Sequence, residues 1–297
     1  MGYIWDKILK IPNIGYNLVA LLERLSSYNL YGKIAVINFT TQDKTMDFTD
    51  KVVLVTGASR GIGRAIAQEF AKHNATVAVH YNRNQTAAKE TRASLKGENH
   101  IIVQADVSDS EAVKVMIDSV VAQLGRIDVL VNNAGIFEEH PIAEVTYENW
   151  IAQWNRTIGA NLTGAANASY CAAQYMIKQG GGRIINVSSR GAFRGEPTAP
   201  AYGASKAGMN AMSQSLAQAL APHNIYVMVV APGWVETDMA GHQLDSDGGD
   251  SIRNQSPLKR IGKPEEIAHG VVFFASEGAE FMTGAILDAN GASYLRT

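Results

Sequence analysis

Short apolar runs with no polar face, each parted from the next by a segment of helical periodicity, constrain this chain more than any other feature. Val52–Val55, Thr76–His80, Ile101–Gln104, Ile127–Val131, Arg183–Val187, Ile225–Val230 and Ala285–Leu287 read as strands. After the first run, Ile62, Ile66 and Phe70 recur at helical spacing. Gln85–Leu95, Ser110–Leu124, a long region ending at Gln179, Ala201–Ala221 and Pro264–Ser276 read as further helices, with Asp109 placed to cap one and Pro264 to begin another. A strand that is apolar on both faces must be covered on both, which is the signature of a parallel sheet between helices. The expected fold class is therefore α/β, a doubly wound parallel sheet of about seven strands with helices on both faces.

In such sheets ligands bind beyond the carboxyl ends of the strands. The unusual segments of this chain fall at those ends: 56–63, 80–83, 106–107, 132–135, 188–189 and 231–233. The first is Thr56-Gly57-Ala58-Ser59-Arg60-Gly61-Ile62-Gly63, between a buried strand and a helix. Its glycines allow a tight turn and a close approach of backbone to ligand, and the helix start offers free N–H groups to a pyrophosphate. The spacing is Gly-x-x-x-Gly-x-Gly, not the Gly-x-Gly-x-x-Gly of other dinucleotide folds. A second feature is Tyr202-Gly203-Ala204-Ser205-Lys206, which closes the stretch from Ser189. If Tyr202 opens a helix, Lys206 lies one turn on along the same face. A phenol titrates near pH ~10, and a fixed ammonium beside it is expected to lower that value toward the range useful for proton transfer.

Composition narrows the alternatives. The 297 residues are 46% hydrophobic and 18% charged with a net charge of −2, which suits one large domain with or without an extension. No run of basic residues marks nucleic acid as a partner. A single cysteine, Cys171, excludes an intrachain disulfide and fits a reducing compartment. The histidines show no metal-ligand spacing, so no metal site is expected, and no apolar run approaches the ~20 residues of a transmembrane helix. Residues 1–47 form an N-terminal extension, partly helical: Ile4, Trp5, Ile8 and Leu9, then Leu18, Val19, Leu21, Leu22 and Leu25, parted by Pro12-Asn13-Ile14-Gly15. It reads either as an amphipathic arm for a partner subunit or membrane surface, or as a dispensable extension. Glu23 and Arg24 stand where a secretory cleavage site would need small residues. The domain boundary is expected in Thr40–Thr49, with one dinucleotide-binding catalytic domain over 48–297 and a surface loop at Gly241–Asp250.

Thr56-Gly57-x-x-x-Gly61-x-Gly63, Asn132-Asn133-Ala134-Gly135, Asn161, Ser189, Tyr202-x-x-x-Lys206 and Pro232-Gly233, in this order, make residues 48–297 similar to the short-chain dehydrogenase/reductase family, of the compact, Rossmann-type, single-domain kind. The general likeness is to its 3-oxoacyl-[acyl-carrier-protein] reductase-like members. The resemblance implies that Tyr202 exchanges a proton with the substrate oxygen, that Lys206 tunes it and binds the nicotinamide ribose, and that Ser189, thirteen residues before the tyrosine, hydrogen-bonds the same oxygen. Asn161 would hold a water relaying protons to Lys206, although the segment from Asn132 to Asn161 is a few residues longer than usual around Trp150–Trp154. Gly57, Ser59, Gly61, Ile62 and Gly63 would hold the pyrophosphate. Asp106 and Val107 would bind the adenine, with Asn132, Asn133, Ala134 and Gly135 under the adenosine. Ile185–Val187, Pro232, Gly233, Val235 and Thr237 would line the nicotinamide side.

The second strand ends His80-Tyr81-Asn82-Arg83, without the carboxylate that would repel a 2′-phosphate, and Arg60 stands in the glycine turn. Arg60, Asn82 and Arg83 therefore imply that NADP(H) is preferred, NAD(H) remaining possible. Phe137, Phe193, Trp234 and Met239 would form an apolar substrate wall, with Arg190 and Arg194 near its mouth. An acyl chain on acyl carrier protein would suit that wall, as would other small-molecule carbonyls or the corresponding sugar, steroid or small alcohols. The resemblance further implies a cytoplasmic homotetramer, or another homo-oligomer, built through the two long helices after Trp154 and Tyr202. Two other readings stay open: a dehydratase or epimerase that keeps the nucleotide, and a non-catalytic nucleotide-binding scaffold.

Overall fold

The computed structural model describes residues 46–237 and 249–296. Residues 1–45 of the N-terminal extension and Met239 therefore lie outside the described residues, as does most of the loop expected at Gly241–Asp250. Seven parallel strands form one sheet: β1 Val52–Val55, β2 Thr76–Tyr81, β3 Ile101–Gln104, β4 Val129–Asn132, β5 Gly182–Val187, β6 Ile225–Pro232 and β7 Ile286–Ala289. The order across the sheet is β3-β2-β1-β4-β5-β6-β7. Val53 lies beside Val77 on one side and Val129 on the other, and Asn132 pairs with Asn186. The chain winds outward from β1 in one direction and then returns past it through β4, so the sheet has its switch point between β1 and β4. There the ends of the two strands diverge to opposite sides and leave a crevice.

Alternation of side chains along each strand sends residues to two separate cores. On one face Val53, Val55, Val77 and Val79 meet α1 (Gly61–Lys72) through Ile66 and Phe70. On the other face Leu54, Ala78, Leu130 and Ile184 meet Val113, Met116 and Val120 of the helix at Ser110–Leu124. Asp109 caps that helix, its carboxylate accepting from the N–H groups of Glu111 and Ala112. The long helical region before Gln179 is not one uniform helix. Tyr147–Ile158 is α-helical, Gly159–Thr163 widens into one π turn, and Gly164–Gln179 resumes the α-helix. An extra residue in a turn shifts the face that follows, and a periodicity of 3.6 cannot register it. A helix at Pro200–Leu220 carries Tyr202 and Lys206, and it begins with proline at its first position.

A polar ladder ties β4 and β5 to the helices at Gly164–Gln179 and Pro200–Leu220. The Asn132 amide donates to Asn186 Oδ1 at 2.8 Å and to Ser169 Oγ at 3.0 Å. Asn186 in turn donates to Ser213 Oγ at 2.8 Å. All four side chains are buried, so each bond removes a group that would otherwise be costly. This spends Asn132 on the sheet–helix interface, away from any bound nucleotide.

Candidate active site

The crevice opens into a cavity of about 850 Å³ that runs from the glycine turn to Tyr202. At one end the wall is backbone. Gly57 and Gly61 stand at φ +65° and +53°, where any other residue would be strained. A Cβ on Gly63 would run into the Gly57 carbonyl oxygen and the Asn133 amide. Thr56 locks the turn to β4: its Oγ1 accepts from the N–H of Asn133 at 2.9 Å and of Ala134 at 3.0 Å. Asn133 Nδ2 answers by donating to Thr56 O at 2.9 Å. Behind the turn, the Gly57 N–H donates to His80 Nδ1 at 2.9 Å, so the ring proton is on Nε2, which reaches Ala105 O at 3.1 Å. Burial holds the His80 ring neutral, its pKa driven down to about 4.

The middle of the cavity is flanked by Asn82, Arg83, Asp106 and Val107. Hydrogen bonds from the Ser108 hydroxyl and N–H, at 2.6 and 2.9 Å, hold Asp106 below the usual carboxylate range; the Asn82 side chain and the Arg83 charge act in the same direction. The cradle fits a dinucleotide. It has room where side chains would clash, N–H groups at the start of α1, and cations beside the second strand.

At the far end the wall is made of side chains. The Ser189 hydroxyl accepts from the Gly191 N–H at 3.0 Å and is hydrogen-bonded to the Tyr202 phenol. Phe137 packs edge-on against the Tyr202 ring with centroids 5.0 Å apart. Lys206 is 4% exposed and donates from Nζ to Val187 O at 2.8 Å, with Nζ 5.8 Å from the Tyr202 ring centre. Burial drives the Lys206 pKa down to about 8. Burial also raises Tyr202 to about 12; Ser189 pulls it back somewhat, and the carboxylate of Glu196 adds to the rise. The direction is opposite to the lowering expected from the Tyr-x-x-x-Lys spacing. Burial is the largest cause, and it penalises the phenolate.

Most of the residues expected to contact cofactor line this cavity: Gly57, Ser59, Arg60, Gly61, Ile62, Gly63, Asn82, Arg83, Asp106, Val107, Asn133, Ala134, Gly135, Val187, Tyr202, Lys206, Pro232, Gly233, Val235 and Thr237; Asn132, Ile185 and Asn186 do not, being buried in the sheet. Ser189, Phe137 and Trp234 of the substrate group line it too. Phe193 does not: it sits on the short helix Gly191–Arg194, and the Arg296 guanidinium lies over its ring at 4.5 Å. Asn161 is fully buried behind the wall, in the π turn. Its side chain is spent on Ile136, accepting from the N–H at 2.8 Å and donating to the carbonyl at 2.9 Å. It sits close behind Gly135, where an added Cβ would meet Asn161 Oδ1 at 3.2 Å and Lys206 Nζ at 3.6 Å. Three charged residues of the wall had not been singled out from sequence: Glu138, Arg156 and Glu196. Glu138 and Arg156 pair across the rim. The proximity of Glu196 to Tyr202 in the chain was the one signal available for it.

The parallel sheet, the glycine cradle at its switch point and the Ser-Tyr-Lys group opposite define a nucleotide-dependent oxidoreductase. The chain belongs to the short-chain dehydrogenase/reductase family. Residues 57–291 match the family model described as enoyl-(acyl carrier protein) reductase. The chain is 38% identical to the 3-oxoacyl-[acyl-carrier-protein] reductase FabG of Staphylococcus epidermidis over 83% of its own length and 100% of the relative's. It is likewise 38% identical to the FabG of Thermotoga maritima, over 83% of its own length and 98% of that protein. A solved short-chain dehydrogenase from Burkholderia cenocepacia in complex with NADP superposes with a TM-score of 0.76 at 33% identity, covering 83% of this chain and 98% of that one. Among the described residues no helix is long and apolar enough to cross a membrane, and no cluster of side chains could hold a metal.

Proposed function

We propose that the protein is an NADP(H)-dependent carbonyl reductase whose substrate is a 3-oxoacyl thioester or a related ketone. The observation that carries this reading is Tyr202, hydrogen-bonded to Ser189 and one turn from the buried Lys206, at the end of a cavity whose other end is a glycine-walled cradle. Gly57, Ser59, Gly61, Ile62 and Gly63 hold the pyrophosphate at the start of α1. Arg60, Asn82 and Arg83 receive the 2′-phosphate, and Asp106, Val107, Asn133, Ala134 and Gly135 border the adenosine. Pro232, Gly233, Val235 and Thr237 flank the nicotinamide, and Tyr202 and Lys206 its ribose. When bound, the nicotinamide supplies the hydride.

The residues of the chain do the rest. Ser189 donates a hydrogen bond to the carbonyl oxygen and Tyr202 gives it a proton as negative charge develops there. Lys206, anchored to Val187 O, offsets the charge left on the phenolate. Asn161 fixes Ile136 and so keeps Gly135 against the ribose side. Phe137 and Trp234 exclude water from the acyl chain.

Two acyl substrates separate the two reactions suggested by the relatives and by the family description. With NADPH, an acetoacetyl thioester should be consumed and a crotonyl thioester should not. Consumption of the crotonyl compound alone would replace the carbonyl reading with reduction of a carbon–carbon double bond. NADPH should give a higher kcat/KM than NADH, and a clear preference for NADH would refute the assignment to Arg60 and Arg83. The same oxidation assay across sugars, steroids and small ketones tests the alternative substrates. We also propose a homo-oligomer with one catalytic domain from about residue 48, which a monomer in sedimentation would contradict.

A further inference from the structure

Glu196 is the one carboxylate on the segment that joins Ser189 to Tyr202, and it lines the same chamber as both. Its side chain lies over Gly191: a Cβ there would stand 2.5 Å from Glu196 Oε1 and 2.8 Å from Cγ. A glycine at 191 is thus what lets the carboxyl rest beside the serine and tyrosine. Among the described residues nothing hydrogen-bonds to that carboxyl; its charged neighbours are Arg194 and Arg190. Neither neutralises it by direct contact. Arg190 is buried and spends its guanidinium on Ser293 Oγ at 2.6 Å and Gln255 Oε1 at 2.5 Å, while Arg194 is exposed and points to Gln255 as well. The carboxyl is half-buried on the cavity wall and is free to accept a hydrogen bond from a molecule that enters it. Burial raises its pKa, and its charge acts to raise that of Tyr202 as well.

We propose that Glu196 is a specificity-determining residue, whose carboxyl receives a hydrogen-bond-donating substituent, a hydroxyl or amine, borne next to the reacting carbonyl and turns away substrates with a carboxylate there. This rests on the carbonyl-reductase reading and, of the two substrate types named there, selects the related ketones that carry such a donor over the 3-oxoacyl thioesters. The donor fills the vacant valence of the carboxyl. A carboxylate at the same place would set two negative charges together in an enclosed chamber where they are weakly screened.

The test matches three ketones in size: hydroxyacetone, butanone and pyruvate, each reduced with NADPH by wild type, Glu196→Ala and Glu196→Gln. Wild type should favour hydroxyacetone over butanone by about tenfold in kcat/KM, the usual effect of a hydrogen bond to a charged group. Glu196→Ala should abolish that preference, lowering kcat/KM for hydroxyacetone far more than for butanone, and Glu196→Gln should improve pyruvate. Gly191→Ala, which displaces the carboxyl without removing it, should weaken the preference too. In parallel, propane-1,2-diol, propan-2-ol and lactate are titrated into the enzyme–NADP+ complex, with binding followed by tryptophan fluorescence. Failure of wild type to reduce any of the ketones would count against the carbonyl-reductase reading, and the titration would still decide Glu196. Diol preference lost on removing the carboxyl supports the proposal; an equal effect on all three probes, or no preference in wild type, overturns it.

Discussion

The two ends of the cavity do similar work with different materials. Around the glycine turn the surface is main chain, held in place by Thr56, Asn133 and His80 through bonds to backbone atoms. Around Tyr202 the surface is side chains, and three of them, Tyr202, Lys206 and Glu196, are displaced from their ordinary protonation behaviour by burial. The first end is specified by space: what matters is that nothing projects into it. The second is specified by charged and ionisable side chains that are buried or half-buried. Changes at the first should therefore act on cofactor affinity and folding, and changes at the second on turnover and its pH dependence.

Tyr202→Phe should show the sharpest separation. Removing the phenolic oxygen takes away the proton donor and leaves the ring against Phe137, so turnover should fall at least about a hundredfold, the lower range for a lost general acid. Cofactor binding, followed by nicotinamide fluorescence, should persist. Unchanged turnover would remove Tyr202 from the chemistry and erase the distinction between the two ends.

Gly63→Ala addresses the opposite end. The new methyl meets the Gly57 carbonyl and the Asn133 amide, neither of which can yield without opening the Thr56–Asn133 link. Overpacking of this kind costs roughly 1–3 kcal/mol. The KM for cofactor should rise on the order of tenfold or more and the urea midpoint should drop, with kcat at saturating cofactor less affected. A variant with a changed kcat and an unchanged cofactor KM would show that the turn is not a cradle. Arg83→Ala is milder. Removing one cation beside the 2′-phosphate position should lower kcat/KM for NADPH by about tenfold and leave NADH nearly untouched, since charge-assisted bonds are lost for one cofactor alone. Equal losses with both cofactors would place Arg83 elsewhere in the reaction.

The same contrast explains what could be read from the chain. The glycine end was legible because space is encoded locally: a short apolar run, three glycines and a helical repeat already state strand, turn and helix. The sheet followed from the same periodicity, with Ile101–Gln104 and Ser110–Leu124 found as expected. The tyrosine end was legible as a set of residues but not as an environment. The spacing of Tyr202 and Lys206 said that they share a face; it could not say that burial would push the phenol up instead of down. Phe193 misled because a four-residue helix turned it toward Arg296, and Asn132 because its partner, Asn186, is fifty-four positions away. The π turn at Gly159–Thr163 escaped because one added residue leaves the apolar pattern on both sides intact.

The finest test sets the two ends against each other through pH. His80 titrates at about 4 in the folded protein against an ordinary 6.5, so below pH 6.5 the unfolded chain binds a proton that the native state refuses. Its share of stability is present above 6.5 and lost as the pH falls toward 4. Lys206 behaves alike in a higher window, its value lowered from 10.5 to about 8: stability should rise as the pH climbs from 8 to 10.5, where the unfolded chain still carries the proton. Tyr202 works against this further up, because its value is raised from 10 to about 12; the native state keeps its proton while the unfolded chain loses it, and stability falls across that interval. Urea midpoints of the cofactor-free protein should therefore decline from pH 6.5 to 4.5, a decline that His80→Gln flattens. From pH 8 to 9.5 Lys206→Met should approach wild type or fall behind it, since the variant has no buried charge to relieve. A gap between Lys206→Met and wild type that stays constant over that range would mean that the ammonium is not desolvated, and the charge-built end would lose the feature that distinguishes it from the glycine turn.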